Sequence, residues 1–272
     1  MNLPKSESSW HEDAPQYAAP ALDKGLDILE LLVDSGEGLS MAEIAQGLGR
    51  SISEIFRMVV TLQRRDWIYA DKGDRYHLSS KLFEFAHRHQ PTRSLVEAAV
   101  PSMQSLARAT RQSCHLTIVN DGRMLVVAQI DAPGTLSFGV RTGTIINLLH
   151  TASGQVILAF SSEADRLKLL DQHAMLTGEN DFSRSDLWVE LHKIVDLGYA
   201  CFPSKQVLGV TNLACPLWGR HGEVMAALVI PYLEGLGSQR GPSITESLSL
   251  LTASAVEISQ ALGFQSMKLR TA

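Results

Sequence analysis

Apolar residues first acquire a period at Leu22. Leu22, Leu26, Leu29, Leu32 and Val33 recur at spacings of three and four, which predicts a helix with one apolar stripe. Gly36 and Gly38 end it. Ser40-Met41-Ala42-Glu43 then has the form of a capping box, in which a hydroxyl and a carboxylate satisfy two N–H groups at a helix start. Met41, Ile44, Ala45 and Leu48 supply its apolar face, and Gly49 stops it. Ser51-Ile52-Ser53-Glu54 repeats the box and opens a helix with Ile55, Met58, Val59 and Leu62 on its face. Two short capped helices joined by a tight turn containing glycine form a helix-turn-helix signature.

The period then changes to two. Trp67 to Ala70 and Arg75 to Leu78 read as strands around the turn Asp71-Lys72-Gly73-Asp74, so a wing follows the second helix. Ser79 or Ser80 caps a further helix bearing Leu82, Phe83, Phe85 and Ala86. The pattern breaks around Pro91, which places a domain boundary within 89–94. Beyond it we expect a helix with Pro101 near a first turn, running to about Thr110. Strands follow at 114–119 and 125–130 about the turn Asp121-Gly122, with another at 135–140. Helices are expected at 153–160, at 187–197 before Gly198 and at 248–262, with a hairpin of strands 213–217 and 223–230. The first twenty residues, polar and with Pro4, Pro15 and Pro20, read as a disordered tail.

Composition narrows the classes. At 272 residues the chain suggests two domains. Its apolar runs, such as Val156 to Phe160, fall far short of the roughly 18 residues of a membrane span. The N-terminus lacks a signal-peptide pattern. Cys114, Cys201 and Cys215 are too few and too scattered for a metal site or a disulfide framework, which points to a reduced cytoplasm. We find no nucleophile elbow, Walker A, H-E-x-x-H or G-x-G-x-x-G pattern; Gly241 falls one residue too far from Gly235 and Gly237. Cys114 and His115 are adjacent on a strand and point to opposite faces, so they make no nucleophile–base pair. A buried cysteine beside an outward histidine is the simpler reading. His87 and His89 are two apart, wrong for one helical face. No enzyme, metal or cofactor is expected.

Charge argues the other way from the helix-turn-helix. The chain carries −5, and residues 20–90 hold nine Lys and Arg against eleven Asp and Glu. DNA-binding domains are usually basic. Distribution matters more than the sum, however, because steering depends on the local field. Four arginines lie between 50 and 65 with Glu54 the single acid among them. A monomer would bind DNA poorly, and pairing two copies would double the phosphate contacts.

Several words in order resemble the IclR family of bacterial transcriptional regulators. They are Ala21-Leu22-Asp23-Lys24-Gly25-Leu26-Asp27-Ile28-Leu29-Glu30, Leu39-Ser40-Met41-Ala42-Glu43-Ile44-Ala45, Thr151-Ala152-Ser153-Gly154, Gly198-Tyr199 and Gly222-Glu223-Val224-Met225-Ala226-Ala227-Leu228. The resemblance spans about Ala21 to Phe264. It implies an α+β chain: a winged helix-turn-helix DNA-binding domain (21–79), a linker helix (80–94) and a GAF-like effector-binding domain with a central antiparallel sheet (95–272), after a tail (1–20). It also implies dimers, often dimers of dimers.

The helix from Ser51 to Arg65 would then lie in a major groove. Arg50, Ser51, Ile52, Ser53, Glu54, Phe56, Arg57, Arg64 and Arg75 are the DNA-binding candidates. The serine hydroxyls suit phosphate oxygens and Arg57 a guanine or a phosphate. Ile52 stands where many members carry a polar or basic residue, and would meet a thymine methyl. Glu54 is equally a capping acid, Phe56 equally a contact to a partner chain, and Arg64 and Arg65 backbone neutralisers or a solvated face. Arg75 is placed at the wing tip.

For the effector, Thr151, Ala152, Ser153 and Gly154 start a helix with small side chains, suited either to an anionic ligand or to capping and tight packing. The family pocket maps to Phe202, Asn212, Val229 and Pro231, with Leu136, Phe138 and Leu149 as further wall. His150 is either a ligand contact or a loop residue. Three of the four mapped positions are apolar, which favours an aromatic acid or another substituted carboxylate, oriented by Asn212. The expected protein is a cytoplasmic, ligand-responsive regulator, a repressor in the family's manner. Its expected partners are double-stranded operator DNA, a small-molecule effector and its own second copy, with no membrane. The alternatives are a small-molecule sensor whose winged helix serves protein contacts, and a hydrolase built on the C-terminal domain.

Overall fold

The computed structural model describes residues 19–88, 90–134, 137–173, 184–235 and 241–265. The expected tail, apart from its last two residues, lies outside them, as do Leu136 and His89. The chain divides into two compact units, Met1–His89 and Gln90–Ala272.

The first unit begins with α1 (Pro20–Val33), where proline stands in the first turn and its missing N–H costs nothing. A two-residue strand β1 (Leu39–Ser40) leads into α2 (Met41–Gly47), and α3 (Ile52–Arg64) follows. The hairpin is β2 (Ile68–Ala70) with β3 (Arg75–Leu78), and α4 (Lys81–Arg88) ends the unit. The expectation missed β1, which pairs Leu39 with Tyr76 and Ser40 with Arg75 and makes the wing three-stranded, in the order β1-β3-β2. Ile28, Leu32, Ile44, Ile55, Val59 and Ile68 close the core between the three helices and the wing.

The second unit opens with α5 (Gln90–Thr110). Pro91 is the second residue of this helix, so the break expected there is a helix start. Pro101 lies in the middle of α5, not near its first turn. Then come β4 (Cys114–Asn120), β5 (Arg123–Ile130), β6 (Ile145–Ile146), α6 (Ala152–Phe160), α7 (Glu163–Gln172), α8 (Arg184–Leu197), β7 (Ala200–Pro203), β8 (Val210–Trp218), β9 (Val224–Leu233) and α9 (Ile244–Ala261). The strand expected at 135–140 is not formed in its described part, 137–140; β6 takes the edge instead. The six strands form one antiparallel sheet in the order β6-β5-β4-β9-β8-β7.

Strand alternation gives this sheet two apolar faces, and each is covered by helices. Cys114, Leu116, Leu213, Cys215, Leu228 and Ile230 pack with α5 and α9. Met124, Ala200, Ala214, Ala227 and Val229 pack with α6 and α8. Every residue of α6 from Ala152 to Ala159 is buried, so this helix has no solvated face. Arg166 closes its C-terminus by donating to the carbonyls of Leu158, Ala159 and Ser161. β8 and β9 run on past the start of β4: β9 pairs with β4 only through Ala227 to Val229, yet continues against β8 to Leu233. Pro231 stands in that overhang, beyond the β4 ladder. The overhang, next to the start of α6, is where the second unit leaves a cavity.

Candidate DNA-reading helix and effector pocket

α3 is strongly amphipathic. Ile55 and Val59 are buried, while Ile52, Ser53, Phe56, Arg57, Val60 and Arg64 are exposed. Its capping box is closed by Glu54, whose carboxylate accepts from the Ser51 N–H at 2.9 Å and the Ser51 hydroxyl at 2.7 Å. Those two bonds, with Lys24 at 3.7 Å, hold the Glu54 carboxyl below its ordinary pKa. The positive end of α3 is therefore already met by an acid of its own helix, and Ser51 is committed to it. Ser53 bonds to Ser51, hydroxyl to hydroxyl, at 3.1 Å.

Two of the expected DNA-binding arginines are likewise engaged. Arg50 reaches Asp27 at 3.3 Å. Arg75 is not at the wing tip: the turn is 71–74, and Arg75 opens β3. Its guanidinium donates to the carbonyls of Glu37 and Gly38 and pairs with Glu43 at 3.1 Å, tying the wing to the start of α2. By contrast, among the described residues no acid lies within salt-bridge distance of Arg57, Arg64 or Arg65, all exposed. Lys72, exposed in the wing turn, is the cation the sequence reading passed over. A groove of about 980 Å³ runs beside α3, lined by Leu22, Gly25, Leu26 and Leu29 of α1, by Arg57, Met58, Thr61 and Leu62 of α3, and by Trp67 and Leu82.

In the second unit the cavity is about 60 Å³. It is lined by His115 of β4, Phe138 and Val140, Ile146 of β6, Thr151, Ala152 and Ser153 at the start of α6, Ser204, Gln206 and Val207 after β7, Asn212 of β8, and Val229 and Pro231 of β9. No Asp, Glu, Lys or Arg is among them. Of the nine residues expected for the effector, Thr151, Ala152, Ser153, Asn212, Val229 and Pro231 meet here. Leu149 and Phe202 pack instead into the cluster between the sheet and α6. Gly154 serves packing: a Cβ on it would lie 1.9 Å from the Leu148 carbonyl oxygen. Thr151 is the cap of α6; its Oγ1 accepts from the Gly154 N–H and donates to the Asn147 carbonyl at 2.6 Å.

His115 is the contributor the sequence reading misplaced. Cys114 and His115 do point to opposite faces, but His115 is not outward. It pairs with Val229 across the ladder and is only 3% exposed. Its Nδ1 is buried and has no hydrogen-bond partner. Burial pushes its pKa down to about 4, so the ring is neutral at pH 7. On the other face, burial pushes the Cys114 thiol up to about 12, which leaves no thiolate to react. The alternation that separates the two side chains was legible, but the closure of the second face over His115 was not.

Comparison with known proteins decides what these two sites belong to. Residues 21–72 match the IclR helix-turn-helix domain, and residues 89–260 match the bacterial transcriptional regulator IclR C-terminal domain. The chain belongs to the IclR family. This IclR-family protein is 28% identical over 251 residues to the HTH-type transcriptional regulator BhcR of Paracoccus denitrificans, covering 90% of this chain and 86% of that one. It is 25% identical over 268 residues to the HTH-type transcriptional repressor AllR of Escherichia coli, covering 93% and 94%. Its fold is also that of an IclR homologue of Microbacterium hydrocarbonoxydans crystallised with 4-hydroxybenzoate, with a TM-score of 0.74 at 19% identity over 89% of this chain and 98% of that one. The IclR assignment places a transcriptional regulator's helix-turn-helix ahead of an effector domain, in a family that is not enzymatic. No described helix is long and apolar enough to cross a membrane.

Proposed function

We propose that this regulator binds operator DNA as a dimer and changes its affinity for that DNA when a small organic acid enters the cavity beside α6. The observation that carries the DNA half is the set of three exposed arginines on and just after α3, Arg57, Arg64 and Arg65, left without acidic partners while Arg50 and Arg75 are spent inside the unit. Arginine unpaired on an exposed helix suits phosphate oxygens and guanine edges. Three arginines and Lys72 per copy are few for tight binding, and the unit is net acidic. A second copy is the economical remedy. The groove beside α1 and the exposed Leu22, Leu26, Phe83 and Phe85 give it an apolar surface to pair through.

The effector half rests on the cavity. The start of α6 presents first-turn N–H groups and a positive dipole end, which favour a carboxylate. Phe138, Val140, Ile146, Val207, Val229 and Pro231 supply apolar wall for an aromatic or otherwise bulky body. The Microbacterium homologue's 4-hydroxybenzoate belongs to this chemical class and makes it the first compound to try. At about 60 Å³ the cavity admits only a few water molecules, so such a ligand must displace part of its wall. The 204–207 turn, which contributes Ser204, Gln206 and Val207, lies outside the strands and is the part proposed to move. Ligand binding thus selects a more open population, and that shift is what the DNA-binding half would read.

The test is fluorescence anisotropy of the full chain on duplex DNA from upstream of its own gene, across a salt series, with and without aromatic acids. Expected are a steep negative dependence of affinity on salt and a change in affinity on adding one of the acids. Salt-independent or absent binding to that duplex would overturn the reading in favour of a sensor whose winged helix contacts protein.

A further inference from the structure

We infer that His115 selects effectors that carry a hydroxyl group in addition to their carboxylate. The inference rests on the acid-sensing reading above and sharpens it. The polar lining of the cavity is Thr151 and Ser153 at the start of α6, Ser204, Gln206, Asn212 and His115, and two of these places differ in what they lack. One is the start of α6, whose first turn, unlike those of α2, α3, α7 and α9, contains no acid. The other is the His115 ring on β4, 97% buried, with Nδ1 lacking any partner in the protein. A buried polar atom left unpaired costs free energy, and a ligand that pairs it recovers that cost.

The chemistry of the ring limits what the ligand brings there. The His115 ring is neutral at pH 7, and no Asp, Glu, Lys or Arg lines the cavity. A second carboxylate at this end would be buried without a counter-charge unless the ring took up a proton against its desolvation. A hydroxyl needs no such change. It both donates and accepts, so it satisfies Nδ1 whichever ring nitrogen holds the proton. An apolar end would leave Nδ1 as orphaned as it is without ligand. The carboxylate therefore belongs at α6 and the hydroxyl at His115.

The experiment is isothermal titration of the full-length protein with benzoate, its three monohydroxy isomers, and benzene-1,3- and 1,4-dicarboxylate. We expect at least one hydroxy isomer to bind about tenfold or more tighter than benzoate, and both dicarboxylates to bind more weakly than that isomer. His115→Phe should bind benzoate and the preferred isomer within about threefold of each other, with circular dichroism unchanged. His115→Gln, which keeps a polar atom there and decides the matter if the Phe variant does not fold, should retain part of the preference. Benzoate equal to every isomer in the wild type, or a preference that survives His115→Phe, overturns the inference and leaves the acid-sensing reading standing. Tightest binding by a dicarboxylate with proton uptake also overturns it, by making His115 a charged partner. If none of the six compounds binds folded protein, the acid-sensing reading fails and the inference with it.

Discussion

The starts of α3 and α6 make an instructive pair. Both helices begin at a hydroxyl residue, Ser51 or Thr151, and both were candidate anion sites. At α3 the helix supplies its own anion, Glu54, and the start faces solvent. At α6 the first turn has no acid, the cap is satisfied by neutral groups, and the start faces a cavity with an unpaired histidine. A helix dipole attracts an external anion only where no internal one has taken the place. The α3 terminus is thus capped from within, and the proposed DNA contacts fall to the arginines further along the chain. The α6 terminus remains open to a ligand.

The difference can be attacked in several ways, the most damaging first. Gly154→Ala forces a Cβ into the Leu148 carbonyl, and we expect the second unit to lose about 3 kcal/mol or more of stability in urea unfolding. Retained stability would mean that the approach of α6 to 148 is not tight. The next concerns pH. His115 binds its proton only near pH 4 when folded, against 6.5 unfolded, so the unfolded chain holds more protons between those values. Stability should therefore fall as pH drops from about 6.5 to about 4, by roughly 3 kcal/mol at most, and His115→Phe should flatten that part of the pH–stability curve.

Ser153→Asp gives α6 the acid that α3 already has. Effector binding should weaken by tenfold or more in titration while DNA binding without effector is unchanged; unaltered effector affinity would separate the carboxylate from α6. Arg57→Ala should lower DNA affinity by about tenfold near 0.15 M salt and reduce the slope of log K against log salt by about one. Effector affinity should not move. The smallest effect is Glu54→Gln, which removes the anion at α3: a few-fold gain in DNA affinity at low salt, measured by anisotropy, is expected alongside a small loss of thermal stability. A loss of DNA affinity would mean instead that Glu54 reads a base.

The helix-turn-helix was legible because it is local. Capping boxes, glycine stops and three–four spacing act within a few residues, and α2, α3, β2 and β3 formed close to where they were expected. The strands missed were β1, β6 and β7, only two to four residues long. Such segments are edge strands, defined by the one neighbour each pairs with, and two to four residues are too few to show a period. Pro101 was misplaced because proline was assumed to need a helix start, whereas α5 carries it internally. Arg75 was misplaced for a related reason: its neighbours in sequence mark a turn, but its partners Glu37, Gly38 and Glu43 lie more than thirty residues away.

The sequence by itself determined the caps, the amphipathic faces, the two-domain division, the family resemblance and the alternation that parts Cys114 from His115. Those depend on backbone geometry over one or two turns or on a period of two, which any solvent-exposed chain must obey. Only the tertiary structure decided which arginines are spent on acids, which of the nine effector candidates meet at one cavity, and that His115 is sealed inside it. Burial and pairing are properties of surfaces brought together from remote parts of the chain. The net charge of −5 could not foresee them, because what DNA or ligand meets is the charge left after the fold has paired its own.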